Sequence, residues 1–162
     1  MPASAAPISV LIVDGFADVR EMLAAYLTLR GFSVHSAADG QRAVELTRAL
    51  RPDMVLMDPL LPVVNGLEAT RILKQDPATR AIPIVAITSR ALDREIASAR
   101  AAGCDAVISK PFDLTALADA LPRLLTEGAV ALDVPGLAPK GRVARMLSFA
   151  ARRPAAQSDR DG

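Results

Sequence analysis

The stretch MVLMDPLLPVVNGLE, residues 54–68, decides how this chain is read. Four apolar residues run straight into a carboxylate, Asp58, and from there into a loop punctuated by Pro59 and Pro62. Asn65-Gly66 is a turn signal and the start of a helix. A short apolar run closed by turn residues is the pattern of a strand covered on both faces. Three further apolar runs end in a polar group in the same manner: VDG at 13–15, ITS at 87–89 and SKPF at 109–112.

Outward from that stretch the first 125 residues alternate regularly. Strand-like runs stand at ISVLIV (8–13), FSVHSA (32–37), DMVLM (53–57), IPIVAIT (82–88) and AVIS (106–109). Between and after them lie segments with helical spacing at 18–30, 40–50, 66–75, 92–102 and 113–125. In the first, Val19, Met22, Leu23, Tyr26 and Leu27 recur at the three- and four-residue steps of an amphipathic helix. Asp18 and Glu21 predict a capping box at its start, and Gly31 predicts a C-cap at its end. Arg51-Pro52 closes the second helix and Gly103 the fourth. Strand and helix alternating five times predict an α/β fold, a doubly wound parallel sheet with helices on both faces.

In such sheets functional groups gather outside the carboxyl ends of the strands, near the switch in strand order. With a 2-1-3-4-5 order, Asp14, Asp58, Thr88 and Lys110 face one pocket. Two carboxylates without a His or Cys cluster suit a hard cation such as Mg²⁺. A lysine and a hydroxyl beside them suit a phosphoryl group, and a carboxylate can itself be the nucleophile that forms an aspartyl phosphate.

From about residue 8 to 125 the chain resembles the receiver domain of two-component response regulators, a flavodoxin-like (βα)5 fold. The resemblance rests on LIVDG, MVLMDPLLPVVNGLE, IVAITS and AVISKPF in that order and spacing. It implies that Asp58 is the phosphoacceptor, Lys110 the phosphate-binding lysine and Thr88 the hydroxyl that follows phosphorylation. It implies Mg²⁺ held by Asp14, Asp58 and the backbone carbonyl of Leu60, and a cis bond before Pro111. Ser89 either supplies a backbone N–H to phosphate or opens the fourth helix. The implied partner is a histidine kinase or histidine phosphotransfer protein, with a signalling surface on the fourth helix, fifth strand and fifth helix. Dimerisation through the helix-four to helix-five face is a family expectation. A receiver is no enzyme beyond phosphorylating and dephosphorylating itself.

Three residues depart from the family pattern. Gly15 stands where the second of two adjacent acids is usual, which weakens the implied Mg²⁺ site. Pro59 removes a backbone N–H next to Asp58 and biases that residue toward an extended backbone. Val107 replaces the aromatic ring often found three residues before the lysine. These departures keep a second reading open, a pseudo-receiver that works as a phosphorylation-independent interaction module. An enzyme on the same scaffold is the weakest reading, since the sequence has no Gly-rich phosphate loop, no nucleophilic Ser/His/Asp set and no metal-cluster spacing.

The 162 residues divide into an extension (1–7), the receiver-like domain (8–125) and a basic tail (126–162) expected to be flexible. The tail is too short and too rich in Gly, Pro and Ala to build a second domain. Residues 140–153 hold five positive charges and no negative one, a docking stretch for an acidic surface or a solvated tail. DNA binding has no support, since no helix-turn-helix fits after 126. Aromatics make up only 3% of the chain, so the core must be aliphatic. The single cysteine, Cys104, reads as a buried, inert thiol, and the single histidine, His35, as a surface residue on a strand. No apolar run reaches the ~20 residues of a membrane span, and MPASAAPIS is no signal peptide. The expected location is the cytoplasm.

Overall fold

The computed structural model describes residues 5–89 and 92–127. Five strands and five helices alternate: β1 (Ser9–Val13), α1 (Ala17–Leu29), β2 (Ser33–Ala37), α2 (Gly40–Leu50), β3 (Met54–Met57), α3 (Gly66–Gln75), β4 (Ile84–Thr88), α4 (Asp93–Ala102), β5 (Ala106–Ser109) and α5 (Leu114–Glu127). The sheet is parallel throughout, in the order β2-β1-β3-β4-β5. The doubly wound expectation holds, and each strand matches its apolar run to within two residues. The basic stretch at 140–153 and the tail from residue 128 onward lie outside the described residues, whereas residues 126 and 127, assigned to the tail, are the last two of α5.

Strand side chains alternate between two cores. Val10, Ile12, Leu56, Val85, Ile87 and Ile108 pack on one face against Leu23 and Leu27 of α1 and Leu117 and Leu121 of α5. Leu11, Val13, Val55, Met57, Ile84 and Val107 pack on the other against Ala43 of α2, Leu73 of α3 and Ala99 of α4. A central strand is covered twice, which is why β1, β3 and β4 read as unbroken apolar runs. His35 is exposed on the edge strand β2. Cys104 is buried, and burial pushes its thiol up to about 11.

The capping box expected from Asp18 and Glu21 does not form. The helix begins at Ala17 with Phe16 as N-cap and no side-chain cap, so Asp18 already lies inside the first turn. There its charge faces the positive end of the helix dipole instead of accepting a cap hydrogen bond. The C-terminus of α1 is as expected. Gly31 takes φ +92°, its N–H bonds the Thr28 carbonyl, and the Phe32 N–H bonds the Leu27 carbonyl. This is the paired closure that a glycine in the left-handed region allows. Asp39 caps α2 through the Arg42 N–H at 2.8 Å, and Asn65 caps α3 through the Glu68 N–H at 2.9 Å. The α5 helix runs through Pro122, whose ring nitrogen has no proton for the fourth carbonyl back.

Candidate functional site

The switch in strand order lies between β1 and its neighbours β2 and β3, and the site stands at the carboxyl ends of β1, β3, β4 and β5. Backbone pairing fixes the ends against one another. The Asp58 N–H donates to the Val13 carbonyl at 2.8 Å and the Lys110 N–H to the Thr88 carbonyl at 2.8 Å. Asp14, Asp58 and Lys110 follow their strands directly, whereas Thr88 is the last residue within β4.

Asp14 is 4% exposed, and both of its carboxylate oxygens are engaged. Oδ1 accepts the Phe16 N–H at 2.9 Å, and Oδ2 accepts from Lys110 Nζ at 2.9 Å. The Arg20 guanidinium also donates to the Asp14 carbonyl, at 2.7 Å. Asp58 is half-buried, with Oδ1 accepting the Leu60 N–H at 2.9 Å. Burial pushes the Asp58 carboxyl above the usual carboxylate range. The Leu60 N–H opposes that shift, the charge of Asp14 reinforces it, and the Lys110 ammonium opposes it. Two carboxylates and one ammonium therefore act on each other here, and loss of water outweighs the lysine.

The loop carrying Asp58 is clamped by backbone contacts that only glycine permits. An added Cβ at Gly66 would lie 2.0 Å from the Asp58 carbonyl oxygen, and one at Gly40 would lie 1.9 Å from the Val64 carbonyl oxygen. The Gly66 N–H donates to the Pro59 carbonyl at 3.0 Å, so α3 begins directly against the residue that follows Asp58. These two glycines position the loop and are absent from the candidate residues drawn from the sequence. Gly66 carries the Asn-Gly turn signal, but nothing local to residue 40 marks its close approach. Val63, 79% exposed, takes φ +66° in the same loop, a conformation that costs a β-branched residue strain.

The remaining predicted residues fall as follows. Thr88 is buried and Ser89, just beyond β4, is exposed. The Lys110-Pro111 bond is cis, as expected. Pro59 is half-buried and the Leu60 side chain is exposed. Val107 is buried in the core on β5.

Among the described residues no three His, Cys, Asp or Glu side chains cluster as a metal site. The oxygen donors at the strand ends are two carboxylates and loop carbonyls, a hard donor set of the kind Mg²⁺ uses with water completing its shell. At Gly15 an added Cβ would meet nothing nearer than Pro62 Cδ at 3.7 Å, so the position has room for water. The residues fit the ion, with one acid fewer than a pair would supply.

Residues 10–122 match the family model of the response regulator receiver domain. The polar-differentiation response regulator DivK of Brucella anthropi is 37% identical over 108 residues, 67% of this chain and 88% of DivK. The DNA-binding response regulator MtrA of Mycobacterium tuberculosis is 37% identical over 103 residues, 64% of this chain but only 44% of MtrA. Among solved structures, the receiver domain of a sensor histidine kinase from Pseudomonas aeruginosa, with magnesium in its active-site cleft, superposes with a TM-score of 0.70. It is 32% identical, over 75% of this chain and 99% of that one. The chemotaxis protein CheY4 of Vibrio cholerae gives 0.69 at 28% identity, over 73% of this chain and 98% of that one.

Proposed function

This chain belongs to the response regulator receiver family, and from that premise we propose that it accepts a phosphoryl group on Asp58 from a histidine kinase or histidine phosphotransfer protein. Receiver domains are signalling modules, not enzymes in the ordinary sense. The observation that carries the proposal is the meeting of Asp58 with Asp14 and the Lys110 ammonium at the ends of three strands.

In the transfer, an Asp58 carboxylate oxygen attacks phosphorus. The bond from phosphorus to the donor imidazole breaks, and the imidazole leaves with the electron pair. Burial makes Asp58 more basic than an ordinary aspartate, which favours attack once it is ionised. Lys110 exchanges part of its contact with Asp14 for the phosphoryl oxygens as charge builds on them. The Thr88 hydroxyl, at the end of β4, donates to one of those oxygens, with the Ser89 N–H beside it. Asp14, Asp58 and the Leu60 carbonyl would hold Mg²⁺, which would supply neutralising charge beside the phosphoryl group. A shift in the population of α4, β5 and α5 conformations then carries the signal to a protein partner.

Incubation of the full chain with acetyl phosphate or beryllofluoride, with and without Mg²⁺, tests the proposal by intact mass and NMR shifts. The expected result is a magnesium-dependent change that Asp58→Asn abolishes. A change that survives Asp58→Asn moves the acceptor elsewhere.

A second reading, a docking module that signals without phosphorylation, is favoured by Gly15 together with Asp14, whose two oxygens already hold Phe16 and Lys110. No response to either reagent at millimolar Mg²⁺, in folded protein, supports this reading instead.

A further inference from the structure

Around the mouth of the site three large apolar side chains stand in solvent: Phe16 is 71% exposed, Leu60 71% and Val63 79%. They come from two loops that touch. Pro62 Cδ lies 3.7 Å from where a Cβ on Gly15 would stand, so Phe16 and Val63 are each one residue from that contact. Gly40 packs against the Val64 carbonyl, which brings Asp39 to the same loop. Single exposed apolar residues need no explanation, but a group of them marks an interaction surface.

The rim is acidic as well as apolar. Asp18, Asp39, Asp58 and Asp113 stand at this edge, and none of them takes part in an ion pair among the described residues. Asp14 is already answered by Lys110. Arg20 is the one described cation at this edge outside an ion pair, and its guanidinium is held by the Asp14 carbonyl. Exposed apolar groups among unpaired carboxylates fit a segment that is apolar on one side and cationic on another.

The chain carries such a segment. Residues 140–153 hold five positive charges and no negative one, and Val143, Met146, Leu147 and Ala150 recur within them at three- and four-residue steps. The segment also has the reach. The 14 residues of α5 start beside the site and end at the opposite edge of the sheet, about 21 Å away. Residues 128–139 extend up to about 40 Å, enough to return to the site with length to spare. A link of that kind gives an effective concentration on the order of millimolar, so a modest affinity suffices. A nucleic acid or an anionic membrane offered to the same cations would have to displace this contact, and the acidic rim would repel it.

We propose that residues 140–153 dock on the rim formed by Phe16, Leu60 and Val63, with their apolar side on these side chains and their cations facing Asp18, Asp39 and Asp113. Docked there, the segment covers the approach to Asp58. That consequence rests on Asp58 as the phosphoacceptor, whereas the docking itself does not.

The test uses the full chain, ¹⁵N-labelled, with a nitroxide attached through Ser148→Cys; Cys104 is buried and escapes labelling. The amide signals of Phe16, Leu60 and Val63 are expected to lose intensity and to recover it when the nitroxide is reduced, while Arg51 and Arg80 at the opposite edge keep theirs. Two variants are each expected to restore the signals of Leu60 and Val63. One is Phe16→Ser, where serine also serves as an N-cap; the other pairs Arg142→Glu with Arg145→Glu. Rim signals that keep full intensity overturn the proposal, and so does a loss that either variant leaves unchanged. Loss seen when the nitroxide chain is mixed with a ¹⁵N chain lacking the label assigns the rim to a second copy and overturns it equally. No phosphodonor enters these measurements, so a failure of the docking is told apart from a failure of Asp58 as acceptor.

Discussion

Asp58 and Gly15 set the chemistry of the site one residue at a time. The Asp58 carboxyl is held above its ordinary range, so the folded state keeps a proton that the unfolded chain has already lost. Between the two titrations stability therefore falls as pH rises, and above both the cost is complete. Asp58→Asn is expected to stabilise the protein at pH 7, the gain shrinking toward zero as pH falls through the carboxylate range. Urea denaturation of both proteins at several pH values checks this. At Gly15 the open space toward Pro62 accommodates a carboxylate. Gly15→Asp is expected to tighten Mg²⁺ about ten- to a hundredfold, or ~1.4–2.8 kcal/mol, measured by titration calorimetry. Val63 stands in a left-handed conformation while nearly all of its side chain faces solvent. Val63→Gly removes the strain and loses little packing, so it should raise stability by about 1 kcal/mol after the entropy cost of glycine. Thermal unfolding reads the difference.

At the scale of elements, the strand and helix pattern was legible because each element carries its own periodicity. The start of α1 was not. Asp18 and Glu21 have the spacing of a capping box, yet Phe16 took the cap and Asp14 turned back to bond its N–H. A competing carboxylate four residues away cannot be seen in a local motif. The far end of the sheet depends on a comparable long-range tie. Lys74 of α3 donates to the carbonyls of Arg80 and Ile82 and to Asp105 Oδ2, which also accepts the Ile84 N–H that opens β4. This largely buried group holds the α3–β4 loop against the start of β5. Lys74→Met should cost about 2–3 kcal/mol, measured as a fall in urea midpoint with an unchanged slope.

For the whole molecule the sheet divides the apolar interior into two cores that share every central strand. Leu121 of α5 fills one and Leu73 of α3 the other, and neither is exposed. Because the same strands close both, either truncation should weaken the entire unit. Leu121→Ala and Leu73→Ala are each expected to cost about 2–5 kcal/mol, with helix content and sheet packing lost in one transition. Separate transitions would mean that the two layers unfold independently.

The sequence by itself determined the order of elements, the parallel sheet and the edge on which Asp14, Asp58, Thr88 and Lys110 gather. Apolar runs, turn residues and the rule that sites lie at strand ends are local or topological, and each can be read along the chain. Only the tertiary structure decided how those groups meet. The bond from Lys110 to Asp14 joins residues 96 positions apart, and the need for glycine at 40 and 66 comes from backbone that crosses them from another element. A cavity beside the site is likewise walled by residues of α3, β4, α4 and β5 that are distant from one another in sequence. Contacts through space carry no periodicity, so they exist for the reader only once the chain has folded.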